Sequence, residues 1–121
     1  MHEMSLMAEI LQLIGEDAKS KGIIYVKKIE VIVGDLSNVL PDALELAFTY
    51  FKIKKQDLID QNTELQIIRE VSKAKCTNCH LVFTPDYRIA LCPKCGLPIC
   101  ELISGENFRV ESYEGSDVIE S

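Results

Sequence analysis

The 121-residue sequence has no apolar run long enough to cross a lipid bilayer. It also lacks a charged segment followed by an apolar core, the pattern of a signal peptide. We therefore expect neither a membrane-associated nor a secreted protein. The chain contains cysteine pairs without an export signal, and this combination favours a compartment in which thiols stay reduced. The sequence predicts a cytoplasmic location and no membrane partner.

A strongly basic segment is missing as well. Lys and Arg number 13 against 19 Asp and Glu, for a formal net charge of −6. Residues 72–107, the least acidic part, carry four basic and three acidic side chains. Because neutralisation of phosphates supplies much of the affinity for nucleic acids, this charge distribution argues against a nucleic-acid partner.

Internal repeats and low-complexity tracts are also absent from the sequence. Hydrophobic residues make up 47% and charged residues 26%, as in ordinary globular proteins. A chain of this length can bury one modest core and carry one small additional module.

Four of the five cysteines form two C-x2-C pairs, Cys76 with Cys79 and Cys92 with Cys95, and twelve residues separate the pairs. Each pair can present two thiolates to one ion, and two pairs complete a tetrahedron. Zinc fits this donor set, because thiolates are soft ligands and a d10 ion accepts tetrahedral geometry without penalty. With no coordination position left open, the spacing predicts a structural zinc site.

Hydrophobic periodicity predicts the order helix, strand, helix, strand, metal module, strand. The segments are a helix over 3–21, a strand over 23–33, a helix over 41–54, a strand over 63–71, the module over 72–107 and a strand over 108–114. This order indicates an α+β fold, with a small mixed three-stranded sheet, two helices and an inserted zinc ribbon built from rubredoxin-like knuckles. We expect one domain over 1–71, completed by strand 108–114, and a second over 72–107. The alternative keeps the last strand inside the ribbon.

Apolar residues at helical spacing predict the buried faces of the helices. The first helix is expected to bury Leu6, Ile10, Leu13 and Ile14, with Met7, Leu11 and Ala18 beside them. The second is expected to bury Leu44, Ala47, Phe48 and Phe51. In the strand over 63–71, alternation predicts one face made of Leu65, Ile67, Arg69 and Val71.

The first predicted helix begins at Glu3, directly after Met1 and His2. The α-amine of Met1, the backbone nitrogen of His2 and its imidazole can chelate one metal ion, with a fourth donor from the carboxylate or backbone nitrogen of Glu3. Such a nitrogen-rich set suits Ni(II) and Cu(II) better than Zn(II). The alternative is a frayed chain end with an incidental histidine.

The start Met1–Ser5, the stretch Val33–Leu44, the segment Ile103–Val110 and the paired cysteines resemble the HypA family of nickel metallochaperones for [NiFe]-hydrogenase maturation. The resemblance implies delivery of nickel, as cargo, to the hydrogenase large subunit together with the GTPase HypB, and no covalent chemistry. We therefore expect no catalytic residues. The implied nickel ligand is His2, with Met1 and Glu3 beside it, and the implied ligands of a structural zinc are Cys76, Cys79, Cys92 and Cys95.

The chain departs from the family at two positions where glycine is common, His80 and Asn38. Asn38 tolerates left-handed backbone geometry, so we expect its turn to survive. For His80, a solvated or packed side chain is favoured over contact with a ligand sulfur or replacement of a cysteine ligand. Cys100, the odd thiol, is expected to be a half-buried residue outside the metal site.

Two other functions stay open at this point. A zinc-ribbon adaptor for nucleic acid or transcription machinery would share the cysteine spacing. It should have basic or stacking aromatic residues along the ribbon, and here Phe83 and Tyr87 stand with only four basic residues. A thiol–disulfide oxidoreductase would use one C-x2-C pair and would need a low-pKa thiolate, usually at a helix N-terminus. The sequence does not fix the oligomeric state, and a homodimer is left open.

Overall fold

The computed structural model describes residues 2–54, 58–86 and 90–117. Met1 and Tyr87 lie outside these residues. The described chain forms helices α1 (Glu3–Ser20) and α2 (Pro41–Ile53) and strands β1 (Tyr25–Gly34), β2 (Glu64–Glu70), β3 (Lys73–Cys76), β4 (Val82–Phe83), β5 (Cys100–Ser104) and β6 (Phe108–Ser116). The strands make two three-stranded sheets, ordered β2-β1-β6 and β4-β3-β5. The predicted α+β fold is confirmed. Among the described residues, no helix has the length and apolar character needed to cross a membrane.

The chain divides into two compact units. The helical unit comprises the described residues within Met1–Val31, Leu40–Ile67 and Val110–Ser121. The cysteine unit comprises those within Ile32–Val39 and Ile68–Arg109. The predicted domain limits at 71/72 and 107/108 stay a prediction.

In the helical unit, each helix buries one apolar face, as predicted. The buried apolar residues are Met7, Ile10, Ile14 and Ala18 on α1 and Leu44, Ala47 and Phe48 on α2. Leu6, Leu11 and Phe51 are half-buried, and the prediction was wrong for Leu13, which is 63% exposed. Leu13 lies one residue, and hence about 100°, around the helix from Ile14, so it points away from the buried face.

The end of α1 is fixed by Gly22, whose φ of 73° lies in the left-handed region. The Gly22 amide donates to the Lys19 carbonyl at 3.2 Å, and the Ile23 amide donates to the Ala18 carbonyl at 2.9 Å. These two bonds form a Schellman motif, which satisfies carbonyls that the helix itself leaves unpaired. Glycine is favoured here because it has no side chain to oppose the left-handed conformation.

The predicted alternation of β2 holds only for its first half. Leu65 and Ile67 are half-buried, but Arg69 is exposed and Val71 is 52% exposed. A guanidinium nitrogen of Arg69 lies 2.9 Å from a carboxylate oxygen of Asp35, which holds this side chain at the surface. Val71 lies beyond the last residue of β2. The predicted single face therefore ends at Ile67.

Three chain segments meet closely in the cysteine unit. The Leu36 amide donates to the Gly105 carbonyl at 2.8 Å, and the Gly34 amide donates to the Asn107 carbonyl at 2.7 Å. A Cβ atom added at Gly34 would lie 2.1 Å from the Gly105 carbonyl oxygen. The Glu70 carboxylate accepts from the Gly105 amide at 2.6 Å and from the Asn107 side chain at 2.9 Å. Only a residue without a side chain fits at position 34.

Candidate metal centres

The four paired cysteines converge in the cysteine unit. Their sulfur atoms all lie within 4.8 Å of one another. The Sγ atoms of Cys79 and Cys92 are 3.6 Å apart, and those of Cys76 and Cys95 are 4.0 Å apart. A tetrahedral ion with bonds of about 2.3 Å to sulfur requires sulfurs roughly 3.8 Å apart. The spacing of the sulfurs therefore fits a zinc ion.

Each C-x2-C pair forms the same hairpin-like knuckle. In the first, the Cys79 amide donates to Cys76 Sγ at 3.5 Å and the His80 amide donates to the Cys76 carbonyl at 3.0 Å. In the second, the Cys95 amide donates to Cys92 Sγ at 3.3 Å and the Gly96 amide donates to the Cys92 carbonyl at 2.7 Å. Backbone N–H groups directed at sulfur stabilise the thiolate form, which is the form that binds metal.

The four thiols titrate as an interacting group. The Cys79 amide lowers the pKa of the Cys76 thiol to about 6. The bond from the Cys95 amide likewise lowers the pKa of Cys92. At Cys79 the bond from the Leu81 amide lowers the pKa, but burial and the neighbouring thiols outweigh it and raise the pKa to about 12. Four thiolates at these distances repel one another, so full deprotonation requires a cation among them.

The same geometry weighs against a redox role for one C-x2-C pair. Both pairs lie in turns between strands or loops, and neither lies at the N-terminus of α1 or α2. The low-pKa thiolate of Cys76 has three other sulfurs as neighbours and is buried. A disulfide oxidoreductase exposes its reactive thiolate, whereas this arrangement closes it within a donor set.

His80 occupies a left-handed backbone position, with φ of 63°. The equivalent position of the second knuckle is Gly96, with φ of 71°. The side chain of His80 is exposed. The left-handed backbone at residue 80 therefore explains why glycine is expected at this position. Asn38 has φ of 67°, which confirms the prediction made for its turn.

Cys100 is half-buried and is not one of the four converging cysteines. It pairs across the sheet with Cys76 in the register of β3 and β5. Burial raises the pKa of its thiol. A protonated thiol is a poor metal ligand, so Cys100 packs beside the cluster without completing it.

The N-terminal candidate site lies in the helical unit. His2 is exposed and directly precedes α1, and its carbonyl accepts the Leu6 amide at 2.8 Å. Glu3 is only 4% exposed, and its carboxylate accepts the Leu40 amide at 3.2 Å. This hydrogen bond contributes most to lowering the pKa of the Glu3 carboxyl group. It joins the start of α1 to the residue before α2.

Sequence reasoning missed this use of the Glu3 carboxylate. Residues 3 and 40 are far apart in the sequence, and no local pattern pairs them. A weak signal exists at the second helix, since Leu40 lies at its N-cap position and has no side-chain oxygen for capping. An acceptor from elsewhere in the chain was therefore to be expected near the start of α2.

Comparisons with known proteins agree over nearly the whole chain. The family model described as "Hydrogenase/urease nickel incorporation, metallochaperone, hypA" matches residues 1–115. Hydrogenase maturation factor HypA of Moorella thermoacetica is 34% identical over 115 residues, covering 95% of this chain and 99% of that protein. Hydrogenase maturation factor HypA of Rhizobium leguminosarum bv. viciae is 32% identical over 114 residues, covering 94% and 98%.

A solution structure of the Ni metallochaperone HypA from Helicobacter pylori has a TM-score of 0.62 and 26% identity, and the match covers 95% of this chain and 97% of that one. A second HypA solution structure has a TM-score of 0.67 and 25% identity, with 98% of both chains covered. The resemblance deduced from the N-terminal, central and cysteine motifs is confirmed. The chain belongs to the HypA family of metallochaperones, which serve nickel incorporation into hydrogenase and urease.

Proposed function

We propose that this chain binds Ni(II) at its N-terminus and delivers it to the large subunit of [NiFe]-hydrogenase. The observation that carries the proposal is an exposed His2 at the start of α1, in a member of a nickel metallochaperone family. Exposure suits a cargo site, because the ion must leave for another protein. Nickel here is cargo, and the chain performs no covalent chemistry on it.

The donors in the proposed nickel site are nitrogen atoms. They are the α-amine of Met1, the backbone nitrogen and imidazole of His2, and a donor from Glu3. The bond from Leu6 to the His2 carbonyl ties this residue to the first turn of α1. Amide N–H groups at a helix N-terminus have no intrahelical acceptor, so these nitrogens can release their proton to solvent and bind the ion without breaking a helical hydrogen bond. Ni(II) accepts such a nitrogen-rich donor set readily.

The contact to Leu40 supports one of the two roles left open for Glu3. Its carboxylate is buried and already accepts a hydrogen bond, so using it as a ligand would require breaking that contact. Its backbone nitrogen lies in the first turn of α1 and needs no such rearrangement. We therefore assign the backbone nitrogen of Glu3 to nickel and its carboxylate to positioning the helix start.

Zinc is the proposed resident ion of the four-cysteine cluster, bound by Cys76, Cys79, Cys92 and Cys95. The spacing of the sulfurs and the backbone bonds to Cys76 and Cys92 support it. Zinc would supply the positive charge that lets the thiolates coexist and would hold the two knuckles together. Its role is structural, since four protein ligands leave no open position.

The proposed partners are the GTPase HypB, which assists delivery, and the hydrogenase large subunit, which receives the metal. The family description also names urease, so a second nickel enzyme is a further recipient to test. The paired cysteines can bind metal only while they stay reduced, so a reducing compartment suits them, and the cytoplasm is the proposed location.

The nickel site can be tested by titration calorimetry on untagged, zinc-loaded protein. The chain has two histidines, so His80→Gly is a matched control for His2→Ala. We expect His2→Ala, or residues added before Met1, to abolish tight nickel binding, and His80→Gly to leave it unchanged. Unaltered nickel affinity in His2→Ala would refute the assignment.

A further inference from the structure

Cys76 and Cys100 lie directly opposite each other on two neighbouring strands of the cysteine unit. The register of β3 and β5 pairs them. The Thr77 amide donates to the Ile99 carbonyl at 3.2 Å, whereas the Cys76 amide donates to the Leu81 carbonyl on the side of β4. In an antiparallel ladder, this pattern makes Thr77 and Ile99 a hydrogen-bonded pair and the two adjacent cysteines a non-hydrogen-bonded pair.

A non-hydrogen-bonded pair brings opposite side chains closest together. Its Cα atoms are about 4.5 Å apart, and both side chains leave the sheet on the same face. A disulfide requires Cα atoms roughly 4.4–6.8 Å apart and Cβ atoms about 3.5–4.5 Å apart. The backbone of β3 and β5 therefore holds Cys76 and Cys100 in a position from which a disulfide can form.

The two thiols also interact with each other. Burial raises the pKa of the Cys100 thiol, and the charge of Cys76 and a hydrogen bond with its sulfur raise this pKa further. Such a hydrogen bond forms only between side chains that are turned toward each other. The contact therefore agrees with the register of the strands.

Cys100 differs from Cys76 in its availability to an oxidant. Cys76 is buried and belongs to the four proposed zinc ligands, whereas Cys100 is half-buried and lies outside them. A thiol that donates no electron pair to a metal is open to oxidation, and partial exposure admits a molecule as small as hydrogen peroxide. The raised pKa of Cys100 keeps this reaction slow, so it requires sustained exposure to peroxide.

We propose that Cys100 is an oxidation site that opens the four-cysteine metal site by forming a disulfide with Cys76. In the first step, the Cys100 sulfur attacks one peroxide oxygen, the O–O bond breaks, and a sulfenic acid and water form. In the second step, the Cys76 thiolate attacks the sulfenic sulfur, the S–S bond forms, and hydroxide leaves and takes a proton from solvent. Each sulfur gives up one electron, and hydrogen peroxide becomes two water molecules.

The disulfide removes one of the four metal ligands. Three sulfurs bind zinc less tightly than four, and the fold of the cysteine unit depends on the ion, so zinc is released and the unit loosens. A disulfide can be reduced again, whereas a sulfenic acid without a neighbouring thiol proceeds to the irreversible sulfinic and sulfonic acids. Cys100 therefore makes the oxidative loss of zinc reversible. This inference rests on the zinc site of the proposed function.

Peroxide treatment of the full zinc-loaded chain tests the proposal through two readouts. A chromogenic chelator measures zinc release, and mass spectrometry of peptides identifies the first disulfide. We expect one zinc ion to be released for each disulfide between Cys76 and Cys100, and a phosphine reductant with added zinc to reverse the change. Zinc content before oxidation is measured separately. Its absence would refute the metal assignment, whereas the peptide map tests the pairing of the two cysteines.

Cys100→Ser should release zinc at least about tenfold more slowly, because no thiol is then held opposite Cys76. A matched control adds Leu102→Cys to Cys100→Ser. It moves the thiol two residues along the same face of β5, to the position opposite Ala74. This double variant should release zinc as slowly as Cys100→Ser, because its thiol is too far along the strand to pair with Cys76.

Three results would overturn the proposal. One is a first disulfide that joins two of the four metal-binding cysteines, which would give Cys100 no part in the reaction. Another is zinc release at the wild-type rate in Cys100→Ser, which would show that peroxide attacks the ligands directly. The third is wild-type release in the double variant, which would show that the position opposite Cys76 is unimportant.

Discussion

The carboxylate of Glu3 accepts a hydrogen bond from the Leu40 amide, whereas the adjacent residue, His2, is exposed to solvent. The two adjacent residues therefore have different roles at the start of α1. The exposed His2 is the proposed nickel ligand, whereas the carboxylate of Glu3 joins the first turn of α1 to the residue before α2. The distinction can be tested because an amide oxygen can replace a carboxylate oxygen as a hydrogen-bond acceptor.

Glu3→Gln should keep nickel affinity close to that of the wild type, because its side-chain oxygen can still accept from Leu40. Glu3→Ala removes the acceptor and should weaken nickel binding and lower the melting temperature. Calorimetry and thermal denaturation measure the two effects. An equal loss of nickel affinity in both variants would instead make the carboxylate a nickel ligand.

His80 carries a side chain at a position where φ is 63°. A β-branched residue tolerates this conformation poorly, so His80→Val should destabilise zinc-loaded protein by about 1–2 kcal/mol. His80→Gly should retain zinc with wild-type affinity, because the backbone fits and no ligand is lost. Denaturation and competition with a zinc chelator measure these outcomes. A marked loss of zinc in His80→Gly would show that the imidazole contributes to the site.

Among the elements, the amphipathic helices were the most predictable. Their buried faces follow largely from spacing. The error at Leu13 arose because residues three and four positions after Ile10 both fit helical spacing, whereas only Ile14 lies on the buried face. The end of α1 was predictable from Gly22, since its signal is local. The contacts of Glu3 with Leu40, and of Gly34 with Gly105, were not predictable, because each joins residues distant in sequence.

The crossing of chain segments at Gly34 makes a prediction at this scale. Gly34→Ala would force a methyl group against the Gly105 carbonyl and should lower the free energy of unfolding by about 2–3 kcal/mol. Gly22→Ala is the control, because it also adds a methyl group, but a Cβ atom at position 22 would have no other atom within 4 Å. It should cost only about 1 kcal/mol, for its left-handed conformation. Equal losses in urea denaturation would mean that the close approach at Gly34 is unimportant.

At the scale of the whole molecule, the chain comprises a helical unit and a cysteine unit with different sources of stability. The helical unit is stabilised by the buried apolar faces of α1 and α2. The cysteine unit contains four thiols that repel one another when ionised, so its stability depends on a bound cation. The cluster of four sulfurs could be predicted from the sequence, because the C-x2-C motif is local and occurs twice. The sequence could not give the division into units to the residue, since it depends on contacts between distant segments.

Cys76→Ser should remove zinc and unfold the cysteine unit, while α1 and α2 keep most of their helical signal. The physical reason is that metal binding and folding are coupled in small metal-held modules. Far-UV circular dichroism and zinc analysis measure the result. Cys100→Ser is the control and should retain zinc. Complete loss of helix in Cys76→Ser would show that the two units unfold as one.

The position of the bound nickel ion decides whether the proposed function is correct. X-ray absorption at the nickel K-edge, on untagged protein loaded with both zinc and nickel, reads the donor atoms directly. We predict nitrogen donors around nickel, a spectrum that changes in His2→Ala, and four sulfur donors around zinc at its own edge. Sulfur donors around nickel, with no change in His2→Ala, would contradict the account.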